Sequence, residues 1–368
     1  MRRMDRTEEC YINLLRIGLW SAEKCSGEKI LSKVSVGMDE FLLSRQQATS
    51  GLVSRFSERE EFQNEVTLLK LQRQDHVEAL RAVKARLDSA GIPFVLLKGL
   101  GCDWYYPEPG LRDMGDIDIY VGEENYGRAA HLFGPDTESQ GSPKHFSIEI
   151  EGVTVEIHKR CEDLPSRRAD KYFRSITVAG LTTELTPLDI DGIGVNTPSD
   201  NFNAIYLFTH FFYHFLGGGC GLRQICDWTL FLHAKRGTLD NEYIVTALKK
   251  LGLANAWKTF GAMAVRRLGL PADEMPLYDS RLSRRGDRLL RIILEMGNFG
   301  STRKNDRRKK FGTGFFGRKL GSLLGALRQS AEMLSLFPIH SLRSLLHTIP
   351  SSTAKTLRQI FQAKRGWD

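Results

Sequence analysis

The sequence predicts an α+β fold, in which a small mixed β-sheet core lies between N-terminal helices and a C-terminal helical domain. Apolar residues recur at three- and four-residue spacing over the first 90 residues, alternate with polar residues between 93 and 160, and return to helical spacing beyond 198. This order predicts four segments. They are an N-terminal helical region (1–90), an α/β core (91–197), a helical domain (198–300) and a basic helical tail (301–368).

The N-terminal region carries the helical pattern in three stretches, CYINLLRIGLW, MDEFLLSRQQATSGLVSRF and EVTLLKLQRQDHVEALRAVKARLDSAG. Gly91 is the final residue of the last stretch and predicts the end of its helix, because glycine readily adopts the left-handed backbone that often ends a helix. A new kind of element therefore begins near residue 91.

Strands are predicted next, because the short apolar run IPFVLLKG follows a Gly-Ile-Pro turn signal and MGDIDIYV alternates strictly. The segment HFSIEIEGVTVEIHKR alternates on both sides of Glu151-Gly152, which indicates a β-hairpin. The sequence therefore predicts three or four strands between residues 93 and 160.

The tail holds the basic charge of the chain. The whole chain has a net charge of +8, but residues 301–368 carry 14 Lys and Arg against 3 Asp and Glu. Basic and aromatic residues occur together over 303–319, which is consistent with binding to nucleic acid or an anionic membrane surface, or with a solubilising flank. The apolar stripes that follow are typical of helices that pack on the protein itself.

Composition excludes several classes of protein. The six cysteines are scattered without a CxxC motif, which disfavours a disulfide scaffold or a metal clip and favours reduced thiols in the cytoplasm. Acidic residues interrupt the N-terminal stretch before a signal-peptide core develops. The most apolar stretch, AIYLFTHFFYHFLGGG, is shorter than the ~20 residues that a membrane span needs. We therefore expect no transmembrane segment.

Two aspartates lie two residues apart in the otherwise apolar strand MGDIDIYV. Alternate residues of a strand share a face, so Asp116 and Asp118 are neighbours, roughly 6.5–7 Å apart along the strand. The same alternation in GVTVEIH leaves Glu156 and His158 on the polar face of the hairpin. Three carboxylates suit hard cations such as Mg²⁺ or Mn²⁺, which share their remaining positions with phosphate oxygens. Two such ions would stabilise the attacking and leaving oxygens of an in-line displacement.

A bare acid-x-acid pattern usually marks a solvated face, and it occurs at four other places in this chain. The sequence before Asp116 distinguishes this pair from the others. It contains a predicted strand that ends in Lys98-Gly99 and a loop that carries Arg112. These two cations are either salt-bridge partners of the acids or ligands of a triphosphate. On spacing alone, both alternatives stay open.

The stretch IPFVLLKG…YYPEPGLRDMGDIDIYV, followed by GVTVEIHKR, resembles the uncharacterised bacterial branch of the nucleotidyltransferase superfamily that shares the DNA polymerase β-like catalytic fold. The resemblance extends more loosely over most of residues 1–300. It implies a nucleotidyltransferase core in which Asp116, Asp118 and Glu156 hold Mg²⁺. It further implies transfer of NMP from an NTP, with ATP the expected donor, to an unidentified acceptor with release of pyrophosphate.

One departure from the wider superfamily lies in the turn after the first strand, where Lys98-Gly99 replaces the usual Gly-Ser or Gly-Gly. Gly99 still permits close backbone approach, and Lys98 offers a point charge in place of the hydroxyl. We therefore expect Lys98, Gly99 and Arg112 to steady the triphosphate. Glu156 is the preferred group to deprotonate the acceptor, and His158 is expected to lie beside a carboxylate of the site.

Two rival functions remain. The first is a noncatalytic protein of the same fold that binds nucleic acid or an anionic surface through its basic tail, and the second is a metal-dependent phosphohydrolase. Elsewhere, His210 and His214 share a helix face without a third ligand, which favours packing or a polar cleft lining over a metal site. Arg223 and Asp227 are expected to form an ordinary i,i+4 pair.

Overall fold

The computed structural model describes residues 4–20, 36–134, 144–303, 305, 329 and 331–342. Its architecture is α+β, with a four-stranded mixed sheet, a separate two-stranded sheet and helices at both ends of the chain. The predicted fold class is therefore confirmed.

Among the described residues, four helices precede the first strand: α1 (Arg6–Trp20), α2 (Met38–Gln46), α3 (Ser50–Ser54) and α4 (Glu60–Ser89). Helix α4 is 30 residues long and takes part in two hydrophobic cores. Phe62 and Val66 in its first half pack into the core of the helical regions, whereas Val77, Leu80 and Val83 pack beneath the sheet. This helix therefore joins the N-terminal helices to the sheet.

The main sheet consists of β1 (Val95–Leu96), β2 (Ile117–Tyr120), β3 (His145–Ile150) and β4 (Val153–His158). Its spatial order is β1-β2-β4-β3, and only the central pair, β2 and β4, runs parallel. The hairpin between β3 and β4 turns at Glu151 and Gly152, whose φ angles of 52° and 74° suit a tight two-residue turn. The predicted hairpin and its turn are confirmed.

The two faces of the sheet differ in chemistry, as the alternation predicts. Ile117 and Ile119 of β2 and Val155 and Ile157 of β4 are fully buried in the core on one face. The intervening acids therefore project from the other face, since successive side chains of a strand point to opposite sides. Two short helices, α5 (Leu100–Asp103) and α6 (Gly122–Phe133), follow β1 and β2.

A second hairpin, which the sequence patterns did not reveal, lies after the sheet and the helix α7 (Arg167–Thr182). It consists of β5 (Thr186–Ile190) and β6 (Ile193–Thr197). Its apolar side chains, among them Leu188 and Val195, belong to the core of the main sheet. The hairpin therefore extends that core.

The C-terminal helices are α8 (Asp200–Gly217), α9 (Leu222–Ala234), α10 (Asn241–Leu251), α11 (Ala254–Met263) and α12 (Ser283–Met296). Aromatic side chains fill their core, where Phe208 packs edge-on against Trp257 and Phe260. A helix as apolar as α8 is expected in such a buried position. None of the described helices combines the length and apolar character of a membrane span.

Most of the basic segment 303–319 lies outside the described residues. Arg303, at its start, pairs with Glu295 at 3.0 Å and with Glu332 at 2.6 Å. Residues 331–336 and 338–342 are helical, and their buried Leu336 and Phe337 join the C-terminal core. This part of the tail therefore packs on the protein itself.

Candidate active site

Three carboxylates converge on the polar face of the central strand pair. Asp118 and Glu156 are direct partners in the parallel register of β2 and β4, and Asp116 lies immediately before β2. One carboxylate oxygen from each of the three lies within 4.8 Å of the other two. The structure therefore brings Asp116, Asp118 and Glu156 to the same side of the sheet.

Asp118 is the most deeply buried of the three, with no exposed surface. Its Oδ1 accepts from Lys98 Nζ at 2.9 Å and from His158 Nε2 at 3.0 Å. Burial disfavours the charge, but Lys98 and His158 outweigh it and hold the pKa of Asp118 well below its usual range. Among the described residues nothing donates to the buried Oδ2 atom. A buried carboxylate oxygen without a donor calls for a cation.

Glu156 lies between two histidines. Its Oε2 is 3.3 Å from His158 Nε2, and its Oε1 is 3.4 Å from His145 Nε2. Burial opposes ionisation of Glu156, but the hydrogen bond from His158 outweighs it and lowers the pKa. Burial likewise opposes a positive charge on His158. The carboxylates of Asp118 and Glu156 outweigh burial and raise the pKa of His158. His158 thus contacts two of the acids, as the sequence predicts.

The turn after β1 places Lys98 beside the acids and requires glycine at the next position. Gly99 has a φ of 62° and a ψ of −115°, a region that side-chain-bearing residues rarely adopt. A Cβ at Gly99 would lie 3.2 Å from the carbonyl oxygen of Asp116. Burial alone would lower the pKa of Lys98, but the carboxylates of Asp118 and Asp116 raise it, so the ammonium is retained.

Arg112 is buried, and its guanidinium forms an ion pair with a residue of the C-terminal helices. Its Nε and Nη2 donate to the two oxygens of Asp227 on α9 at 2.9 Å and 2.8 Å. Tyr106 donates to the same carboxylate at 2.8 Å. The bidentate pair ties the loop before β2 to α9, although Arg112 still borders the cavity described below.

The expected pair between Arg223 and Asp227 is wrong. Arg112 occupies both oxygens of Asp227, and Arg223 instead donates to the backbone carbonyls of Asp113 at 2.7 Å and Met114 at 3.3 Å. The i,i+4 spacing does not predict the pair here, because the buried Arg112 of a distant loop contacts both carboxylate oxygens of Asp227. Arg223 therefore helps to fix the backbone just before Asp116.

The wall opposite the acids comes from α8 and the loop after β4. His210 Nδ1 lies 2.6 Å from Glu162 Oε1, and Lys144 Nζ lies 2.9 Å from Glu162 Oε2. Burial opposes the charge of Glu162, but His210 and Lys144 outweigh it and hold its pKa far below the usual range. Burial and, after it, Lys98 lower the pKa of His210.

Because Glu162 is ionised and His210 is neutral, Nδ1 of His210 carries the ring proton and Nε2 the lone pair. No partner for Nε2 occurs among the described residues. His214, one helical turn further on, has its ring centroid 4.5 Å from that of His210. Burial and, after it, His210 lower the pKa of His214 to about 4. Both shifts favour the neutral form of these histidines at pH 7.

These groups surround one cavity of about 240 Å³. Asp116, Asp118, Glu156 and Lys98 form one side of it, and His210 and other residues of α8 form the other side. The sequence predicted the first side, and it gave a polar cleft lining as one interpretation of His210 and His214, which both border the cavity. Glu162 and Lys144 were missed because neither lies in a recognisable pattern, and only the tertiary fold brings them opposite the acids.

The carboxylates suit a hard divalent ion such as Mg²⁺ in donor type, and the orphaned Oδ2 of Asp118 gives such an ion a direct partner. Carboxylates that suit a cation, beside a partly buried lysine on a glycine turn, are the kind of groups that proteins acting on phosphate use. The family model for an uncharacterised nucleotidyltransferase matches residues 42–269, so the chain belongs to that family. This membership supports nucleotidyl transfer as its general function. No curated protein and no solved structure matches the chain significantly.

Proposed function

We propose that this protein is a metal-dependent nucleotidyltransferase, which moves a nucleoside monophosphate from an NTP, with ATP the expected donor, to an acceptor and releases pyrophosphate. The observation that carries the proposal is the convergence of Asp116, Asp118 and Glu156 beside the partly buried ammonium of Lys98. Three acids in one place repel each other unless cations neutralise them.

Asp116, Asp118 and Glu156 would hold the Mg²⁺ or Mn²⁺ ions. When bound, such ions neutralise the charge that develops on the attacking and leaving oxygens of the transferred phosphoryl group. The strands that carry these acids are hydrogen-bonded in register, so the donors are held in place before the substrate arrives. His158 supports the site by donating to Asp118 and by contacting Glu156.

Lys98 and Gly99 would steady the triphosphate. The ammonium of Lys98 already faces the acids, and the glycine turn lets backbone approach a phosphate closely. Arg112 would contribute positive potential from the cavity wall, and its two-point contact with Asp227 fixes its position. The remaining Nη1 atom of Arg112 donates to the backbone carbonyl of Asp113 at 3.1 Å, so Arg112 would act on the triphosphate mainly through its charge.

The wall formed by α8 would receive the acceptor, because a pocket between two structural units suits a second substrate. Two groups are placed to take the acceptor proton. Glu156 lies among the metal ligands, whereas His210 offers a lone pair on Nε2 from the opposite wall. Variants of the two residues differ in their expected effect on Mg²⁺ binding, which separates the two roles.

The test is transfer of label from an NTP carrying a labelled α-phosphate, in the presence of Mg²⁺ and a mixture of hydroxyl-bearing small molecules, proteins and RNA. We expect the wild type to release pyrophosphate and the double variant Asp116→Asn plus Asp118→Asn to lose this activity while remaining folded. Glu58→Gln plus Glu60→Gln is the matched control, because it neutralises an exposed acid-x-acid pair.

Each rival predicts a different result. A phosphohydrolase would yield free phosphate and the shortened nucleotide without labelled acceptor. A noncatalytic binding protein would show no turnover, but it would bind nucleic acid through residues 303–319 with an affinity that falls steeply with salt. Full activity in the aspartate double variant would refute the proposed function.

A further inference from the structure

Two histidines lie directly opposite each other beside the acidic site. His145 on β3 and His158 on β4 are partners in the antiparallel register, and their ring centroids are 4.8 Å apart. Glu156 precedes His158 by two residues and therefore shares its face of the strand. Two adjacent strands thus present three potential metal-ligating side chains at one position.

The spacing of these three groups matches a compact metal site. The ligand atoms of His145, Glu156 and His158 all lie within 4.8 Å of one another. The Nε2 atoms of His158 and His145 are 3.3 Å and 3.4 Å from the nearest carboxylate oxygens of Glu156. At metal–ligand distances of about 2.0–2.1 Å, the ligands of tetrahedral Zn²⁺ lie roughly 3.3 Å apart.

We propose that His145, Glu156 and His158 form a second metal site that prefers Zn²⁺ and shares Glu156 with the acidic site. The preference follows from the ligands, since imidazole nitrogens suit Zn²⁺ whereas Mg²⁺ favours oxygen. Three protein ligands leave a fourth position open, as in zinc sites that admit water or an anion. Both strands belong to the central sheet, so the ligands need little reorganisation.

Zn²⁺ at this site opposes Mg²⁺ at the acidic site. It engages the carboxylate of Glu156 and takes the Nε2 atom that His158 otherwise directs at Asp118 Oδ1. Asp118 then keeps Lys98 as its partner and loses a hydrogen bond. Zn²⁺ therefore acts as an inhibitor of nucleotidyl transfer. This inhibition rests on the proposed function, whereas the binding of Zn²⁺ does not depend on it.

The test is calorimetric titration of the full-length, chelator-treated protein with Zn²⁺ alone and with Mg²⁺ alone. We expect His145→Ala to weaken Zn²⁺ binding by at least about tenfold and to leave Mg²⁺ binding unchanged. Asp116→Asn, which alters only the acidic site, should weaken Mg²⁺ binding and spare Zn²⁺. The matched control is His131→Ala, which removes an exposed histidine of α6 and should change neither titration.

Two further measurements complete the test. Co²⁺ substituted for Zn²⁺ should give the visible absorption of a tetrahedral site in the wild type and lose it in His145→Ala. Repeating the Mg²⁺ titration on Zn²⁺-loaded protein should show weaker binding, and Zn²⁺ should inhibit pyrophosphate release less in His145→Ala. Unchanged Zn²⁺ affinity in a folded His145→Ala variant would overturn the proposal, whatever the outcome for nucleotidyl transfer.

Discussion

The ammonium of Lys98 lies 2.9 Å from Oδ1 of Asp118, and this carboxylate has no exposed surface. Lys98→Met should therefore leave the buried carboxylate of Asp118 without its ion-pair partner and lower the free energy of unfolding by about 3 kcal/mol. This value is the lower end of the range for breaking a buried pair, because His158 still donates a hydrogen bond to Asp118. Saturating Mg²⁺ should recover more stability in this variant than in the wild type, because the ion replaces the missing positive charge. Thermal unfolding with and without Mg²⁺ measures both effects.

Lys84→Met is the control for that prediction, since Lys84 pairs with Asp88 at the protein surface and such pairs contribute about 0–1 kcal/mol. An equal loss of stability in the two lysine variants, or an equal response to Mg²⁺, would contradict the assigned role of Lys98.

The ion pair between Arg112 and Asp227 should matter for folding more than for substrate contact. Asp227→Ala leaves a buried guanidinium unpaired, and we expect a loss of about 3–5 kcal/mol in urea unfolding. Replacing both partners, as Arg112→Met plus Asp227→Leu, should cost less than Asp227→Ala alone. If this double variant folds and binds ATP with Mg²⁺ as tightly as the wild type, Arg112 positions the site and does not hold the triphosphate.

Gly99→Ala should damage both stability and activity. The backbone of Gly99 has a positive φ, and the added Cβ would press on the carbonyl oxygen of Asp116, so we expect a cost of about 1–3 kcal/mol. Movement of Asp116 should also weaken Mg²⁺ binding. Gly101→Ala, two residues further on, meets only ordinary van der Waals contacts and should keep both properties. A shift in Mg²⁺ affinity in both variants would point to a general loss of folding.

His210 and Glu156 can be separated as proton acceptors with water as the acceptor and release of AMP and pyrophosphate as the readout. If His210 is the base, His210→Gln should lower this rate about 100-fold or more and leave Mg²⁺ binding unchanged, whereas Glu156→Gln should weaken Mg²⁺ binding as well. Added imidazole should restore part of the activity of His210→Ala. Failure of that rescue, with normal rates in His210→Gln, would leave Glu156 as the base.

The dependence of activity on pH is a second test of whether His210 is the base. A basic imidazole works unprotonated, so activity should fall as the pH drops through the pKa of His210, which burial and then Lys98 hold below its ordinary value of about 6.5. The charged and titratable groups around it are Glu162, Lys144, His214, Lys98, Asp118 and Tyr206. In His210→Gln this acidic limb should disappear.

Local patterns predicted the parts of this protein that depend on neighbours in sequence. Alternation placed Asp118 and Glu156 on the polar faces of their strands, and Glu151-Gly152 marked the hairpin turn. The β5–β6 hairpin escaped notice because its strands are only five residues long, so each offers only two or three buried positions in alternation. The choice of Arg112 as the partner of Asp227, and the position of Glu162 beside His210, depend on contacts between distant segments that no spacing rule encodes.

Helix α4 passes from one hydrophobic core into the other without interruption. Its two halves share one continuous ladder of backbone hydrogen bonds, so a break in the middle costs contacts on both sides. Loss of order in the N-terminal helices would therefore extend to Val77, Leu80 and Val83. It would weaken the packing beneath the strands that bear the acids. Through this one helix, the cooperativity of unfolding extends from the N-terminal helices to strands β2 and β4.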